Sequence, residues 1–158
     1  MAATRSPAKE RGAIRLSVLG ILENRDIVLR AISAACKHVT FRPGWSDFQN
    51  QVVSAVSEAF NNLVLHAYKG RRDGRVDFMI LTKPNAIEIE IRDWGKGFDP
   101  KAVPVPALDV LPESGLGLFI MRAFMNVRYR RGRPNLLVLK KHLEEAAASD
   151  QPATSGTS

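Results

Sequence analysis

AIEIEIRDWGKG, Ala86 to Gly97, changes character partway along. Ile87, Ile89 and Ile91 alternate with Glu88, Glu90 and Arg92, a period of two that fits a strand with one apolar and one polar face. Asp93 ends the alternation, and Gly95 and Gly97 follow at once. A carboxylate at a strand end can accept a hydrogen bond from an exocyclic amine such as that of adenine. The two glycines let the backbone turn tightly and come close to a flat ligand. The same residues also suit a plain glycine-rich turn closed by an Asp, so this stretch alone leaves both readings open.

The elements around it set the fold class. Arg75 to Thr82 is a second strand, joined to Ala86–Arg92 through a Pro84-Asn85 turn. Upstream, Ile14, Leu16 and Val18 mark a strand over Ala13–Leu19, and Ile27, Val28, Ala31, Ile32, Ala35 and Val39 mark a helix over Glu23–Val39 that Pro43 and Gly44 end. A long helix is expected from Ser46 to Tyr68, with Ser46 as N-cap and Gln49 completing a capping box. Phe48, Val52, Ala55, Val56, Ala59, Phe60, Leu63 and Val64 form its apolar stripe. Downstream, Phe98 to Glu113 holds Pro100, Pro104, Pro106 and Pro112 and has little periodicity, which suits a lid or mobile loop. Gly115–Met125 is a helix, and Asn126–Arg131 and Leu136–Lys140 pair around Gly132 and Pro134. The expected class is α+β: a two-layer sandwich with a mixed, mainly antiparallel sheet and helices on one face. Residues 1–12 form a flexible arm, 13–143 the folded domain and 144–158, rich in Ala, Ser and Thr, a disordered tail.

Two further stretches carry chemistry. Glu58, Asn62 and His66 stand at i, i+4 and i+8 and share one side of the long helix, drifting by roughly 40° per step. An Asn oxygen is a hard ligand suited to Mg2+, which takes few protein ligands beside phosphates and waters. A Glu one turn earlier can take the proton of an attacking hydroxyl. The plain alternative is the polar face of an amphipathic helix. Ser114-Gly115-Leu116-Gly117 opens the last helix with unobstructed backbone N–H groups, which favour phosphate; the alternative is a flexible hinge. No Gly-Lys-Ser/Thr follows, so this is not a Walker loop.

Composition narrows the partners. With 158 residues and no apolar run near the ~20 residues of a membrane helix, and no apolar segment behind the basic start that would suit a signal peptide, a soluble cytoplasmic protein without membrane contact is expected. Cys36 is the only cysteine and sits in an apolar helical pattern, which makes it a buried apolar residue. The net charge of +7 gathers in Lys69, Arg71, Arg72 and Arg75, and in Arg128, Arg130, Arg131 and Arg133. Both groups read as turns between strands, solvated first and a partner surface second. No nucleic-acid reading motif accompanies the charge, so direct nucleic-acid binding is not expected.

SEAFNNLVLHAY (Ser57–Tyr68), DWGKGFDP (Asp93–Pro100) and ESGLGLFIM (Glu113–Met121), in that order, resemble the three ATP-site boxes of the gyrase, heat-shock-90, histidine-kinase and mismatch-repair ATPase superfamily. In length and wording the chain is most similar to the bacterial anti-sigma-factor serine/threonine kinases, from about Ile14 to Leu143. The resemblance implies a histidine-kinase-like ATPase domain that uses ATP and Mg2+. It implies phosphorylation of a STAS-type anti-anti-sigma protein, inhibition of a sigma factor, and a homodimer. Glu58 would be the general base and Asn62 the Mg2+ ligand. Asp93 would take the adenine amine, with Gly95 and Gly97 shaping the turn. Phe98 would open the lid, Ser114, Gly115, Leu116 and Gly117 would cradle phosphates, and His66 would line the nucleotide pocket.

Two departures stand out. Glu113 occupies a place where such kinases often carry Arg, and no Thr precedes the last strand, where Asn135 is the candidate substitute. They motivate the alternative of an ATP-binding switch that acts by protein binding alone. A two-component histidine-kinase fragment is disfavoured, because only one helix bearing a His (His38), with a strand before it, precedes Ser46.

Overall fold

The computed structural model describes residues 12–39, 45–97 and 116–143. The elements run β1 (Gly12–Leu19), α1 (Arg25–Cys36), α2 (Trp45–Asn62), β2 (Arg75–Lys83), β3 (Ala86–Asp93), α3 (Leu116–Phe124), β4 (Asn126–Arg130) and β5 (Asn135–His142). A short 3-10 turn (Leu22–Asn24) leads into α1, and α2 continues into a π turn, Leu63–Ala67.

The strands form one sheet in the order β1-β2-β3-β5-β4. Alternation dictates its two faces. Ile14, Leu16 and Val18 stand opposite Ile80, Phe78 and Val76. Phe78 and Ile80 in turn meet Ile91 and Ile89, and Ile91 and Ile89 meet Leu137 and Leu139. That row faces the helices. Val28, Ile32 and Ala35 of α1, Val52, Val56, Ala59 and Phe60 of α2, and Leu118 and Met121 of α3 complete one core with it. Burying that many side chains, at about 1.5–3 kcal/mol each, is what holds helices of ordinary propensity against the sheet. The opposite face carries Ser17 bonded to Asp77, Arg92 paired with Glu90, and Lys140 paired with Glu88.

The α+β sandwich and the element order agree with the sequence. Every described strand pair is antiparallel, so the sheet is not mixed. The β2–β3 and β4–β5 hairpins and the long β1–β2 and β3–β5 connections supply its neighbours, and no parallel crossover is made among the described residues.

The Ser46 cap is a correction. The helix already includes Trp45, and the Gln49 amide bonds the Ser33 hydroxyl instead of closing a capping box. Trp45 Nε1 also donates to the Cys36 carbonyl (3.3 Å), so this end of α2 is tied to α1. The helix does not run uniformly to Tyr68 either. After Asn62 it widens by one residue, with Tyr68 N donating to Leu63 O at 2.9 Å. Lys69 (φ 42°) and Gly70 (φ 81°) then take left-handed conformations that stop it.

The basic groups are also placed differently. Arg75 opens β2, and Arg128 and Arg130 lie within the edge strand β4, where charged side chains discourage edge-to-edge pairing. Cys36 is fully buried, and burial pushes its thiol up to about 12, which makes it inert. No helix among the described residues is long and apolar enough to cross a membrane.

Candidate nucleotide-binding site

Asp93 is the last residue of β3 and stands on the core-facing row, opposite Asn135 at the first position of β5. Asp93 is buried, its relative exposure being 4%. Oδ1 accepts from Gly95 N and from Asn135 Nδ2, each at 3.0 Å. Burial pushes the Asp93 carboxyl above the usual carboxylate range, and those two hydrogen bonds pull the other way. Asn135 Nδ2 also donates to Gly95 O, and its Oδ1 accepts from Gly132 N, both at 3.0 Å. This amide therefore joins the Asp93 turn to the β4–β5 turn.

Glycine is needed in that turn for reasons visible in its neighbours. A Cβ at Gly95 would lie 2.7 Å from the carbonyl oxygen of Ala67, which itself accepts from Lys96 N at 3.1 Å. The carbonyl belongs to the π turn, so the widened end of α2 docks directly on the Asp93 turn. A Cβ at Gly97 would meet Arg131 Cγ at 2.8 Å, with Asn135 Oδ1 and Tyr129 Oη both at 2.9 Å.

The second half of the site lies further back on the same helix. Glu58 and Asn62 are half-buried on α2, and the first turn of α3 comes against them. A Cβ at Gly117 would sit 2.9 Å from Glu58 Oε2, 3.4 Å from Asn62 Nδ2 and 3.5 Å from Asn62 Oδ1. With glycine here the cradle stays open without any shift of Glu58. Leu116, half-buried, starts α3 beside it. From Glu58 to Ala67 the helix advances roughly 13 Å at 1.5 Å per residue, so one element links both halves. His66 is exposed within the π turn. Phe98, Ser114, Gly115 and the expected lid fall outside the described residues.

The cradle suits a magnesium ion. Among the described residues no group of three His, Cys, Asp or Glu is placed to hold a metal, whereas Mg2+ needs only one or two protein oxygens beside phosphates and water. Asn62 offers such an oxygen, with the Glu58 carboxylate one turn away and Gly117 leaving room.

Three supporting contacts carried no sequence signal of their own. Arg25 donates through Nε (3.1 Å) and Nη2 (2.7 Å) to the buried Ser57 hydroxyl, fixing the start of α1 beside Glu58. The phenol of Tyr68 donates to Arg75 O and accepts from Trp94 N (3.0 Å). Its ring fills the space that Cβ atoms at Gly20 and Gly74 would need. The Arg75 guanidinium lies 4.2 Å from the Trp94 ring centroid, a cation–π contact. The depression of about 280 Å³ at this aromatic corner is lined by Tyr68, Arg71, Asp73, Gly74, Arg75 and Trp94, none of them a candidate nucleotide ligand.

Residues 22–141 match the histidine kinase-like ATPase domain. The chain belongs to that family, in its anti-sigma-factor kinase branch. It is 33% identical over 109 residues to an anti-sigma F factor of Halalkalibacterium halodurans, covering 65% of this chain and 75% of that protein. It is 39% identical over 82 residues to the serine-protein kinase RsbW of Bacillus pumilus, covering 46% of this chain and 51% of that one. An anti-sigma F factor of Clostridium beijerinckii is 33% identical over 99 residues, 58% of this chain and 69% of the relative. The matched part thus spans about half of the kinase relative and about three quarters of the first anti-sigma relative.

Proposed function

We propose that the chain is an ATP-dependent serine/threonine protein kinase acting as an anti-sigma factor. Its substrate would be a serine or threonine of a small anti-anti-sigma antagonist of the STAS type, and its target a sigma factor. It would work as a cytoplasmic homodimer. The observation that carries the reading is the cradle in which Gly117 opens the α3 start against Glu58 and Asn62.

Each residue has a distinct task. Asp93 Oδ1 already holds two donors, which leaves Oδ2 to accept from the adenine amine. Asn62 supplies an oxygen to the metal. Bound Mg2+, held there by the Asn62 oxygen, would supply positive charge against that of the phosphates. The backbone N–H groups at the start of α3 face developing negative charge on the phosphates. Glu58 accepts the proton from the incoming hydroxyl as its oxygen bonds to phosphorus, and the leaving oxygen departs with ADP.

Incubation of the purified chain with γ-labelled ATP, Mg2+ and candidate antagonists tests this. Label on a serine or threonine of an antagonist is expected. Glu58→Gln should leave ATP affinity unchanged and slow transfer by roughly 10²–10⁴. ATP binding with no label on any antagonist would favour the switch that acts by protein binding alone, and transfer at the normal rate by the Gln variant would remove Glu58 from the chemistry.

A further inference from the structure

The geometry points to Asn135 as the positioning residue of the base-binding carboxylate: it touches no nucleotide itself and aims Asp93 at the adenine amine. This rests on the proposed adenine role of Asp93 and adds what holds that group in place. Asn135 is 1% exposed. One amide has two donor hydrogens and one acceptor oxygen with two lone pairs. Both donors are engaged, one on Asp93 Oδ1 and the other on Gly95 O, and the acceptor takes Gly132 N. Nothing with donor character remains for a base.

The consequences fall on Asp93. With Oδ1 held between Gly95 N and Asn135 Nδ2, the plane of the carboxylate is fixed and Oδ2 is the free oxygen. The same amide pins Gly95, the residue that brings the turn against Ala67 O. Asp93 and Asn135 are directly opposed across β3 and β5, a separation that cross-strand side-chain pairs bridge readily. A Thr hydroxyl there could donate to Asp93 but could not serve Gly95 O and Gly132 N as well.

The test compares ATP with the triphosphate of unsubstituted purine riboside, which lacks only the 6-amino group, using calorimetry on the full chain. Wild type should prefer ATP by about tenfold or more, as for a hydrogen bond to a charged acceptor. Asn135→Val and Asn135→Thr have the same shape and differ by one donor. The Val variant should bind the amine-free nucleotide within about threefold of wild type and lose most of the ATP preference. The Thr variant should retain most of that preference. A purely structural role predicts something else: both ligands weaken in parallel and the preference survives in the Val variant, which would overturn the proposal. A folded Thr variant without the preference would overturn it too. If wild type shows no preference, the adenine reading of Asp93 itself falls, an outcome recognised before any substitution is made.

Discussion

Gly117→Ala should raise stability and lower activity together, and the opposite signs make it informative. Gly117 lies in the first turn of α3, and the positive-φ residues of the described chain are Lys69 and Gly70 only. Alanine can therefore adopt the native backbone. In a helix it gains about 0.5–1 kcal/mol over glycine, which corresponds to a melting shift of roughly 1–4 °C for a chain of this size. The new Cβ, however, would lie 2.9 Å from Glu58 Oε2, well inside ordinary contact. The cheapest relief is to swing the carboxylate, since it is the far end of a flexible side chain. Asn62 atoms at 3.4 and 3.5 Å need give little. A general base moved by about 1 Å costs on the order of 10²-fold in rate, or about 2.7 kcal/mol of barrier. ATP affinity should change by no more than about threefold, because the Asn62 contacts are near normal. The assay is single-turnover transfer from γ-labelled ATP to an antagonist, alongside a thermal melt and ATP calorimetry. A wild-type transfer rate in a stabilised variant would refute the catalytic meaning of the Glu58–Gly117 contact. A lowered melting temperature would mean that the glycine serves packing instead.

Asn62→Ala should reduce ATP binding in Mg2+ to the level seen with chelator while leaving the melt unchanged; wild-type affinity in calorimetry would end the metal assignment. Tyr68→Phe leaves Trp94 N and Arg75 O without the buried phenol, so urea unfolding should show a loss of about 1–3 kcal/mol, and a loss below about 0.5 kcal/mol would contradict its bridging role. Asp93→Asn tests the buried carboxylate through pH. Burial raises the folded pKa above the usual 3.8, so the native state holds the extra proton in the window above that value. Wild-type stability therefore falls as pH rises through the window and stays at the lower level beyond it. The Asn variant lacks this loss: its melting advantage should grow as pH rises through the window, with ATP preference gone, and an advantage that shrinks with rising pH would contradict the sign.

Strong periodic signals were legible in the sequence. The Ile87–Ile89–Ile91 alternation placed β3 within a residue of its observed ends, because a one-residue slip would turn every isoleucine to water. The apolar stripes placed α1 and α2, and the glycine-opened run Gly115–Met125 placed α3. Less legible was whatever depended on distant partners. Ser46 looked like a cap because local rules favour it, yet Gln49 is claimed by Ser33 on α1. The π turn had no mark in the sequence; its last carbonyl, Ala67 O, accepts from Lys96 N, a partner on a distant turn. Asn135 could be proposed as a substitute for a missing Thr, but its partners depend on β3 and β5 being neighbours, a pairing of residues 42 apart.

The glycines show how a local reading and a tertiary one can both hold. In the sequence they suggest bare backbone offered to a ligand. In the fold each also marks where one ATP-site box touches another element: Gly95 against the π turn that follows Asn62, Gly97 against Asn135, and Gly117 against Glu58. The helix that ends in the π turn is therefore packed against both glycine-bearing stretches. A side chain at any of these positions shifts the neighbouring box before it meets a nucleotide. The site should accordingly respond to substitution as one unit, with Gly95→Ala disturbing the Asn62 end of α2 through the Ala67 carbonyl, a backbone atom that cannot swing aside as Glu58 can.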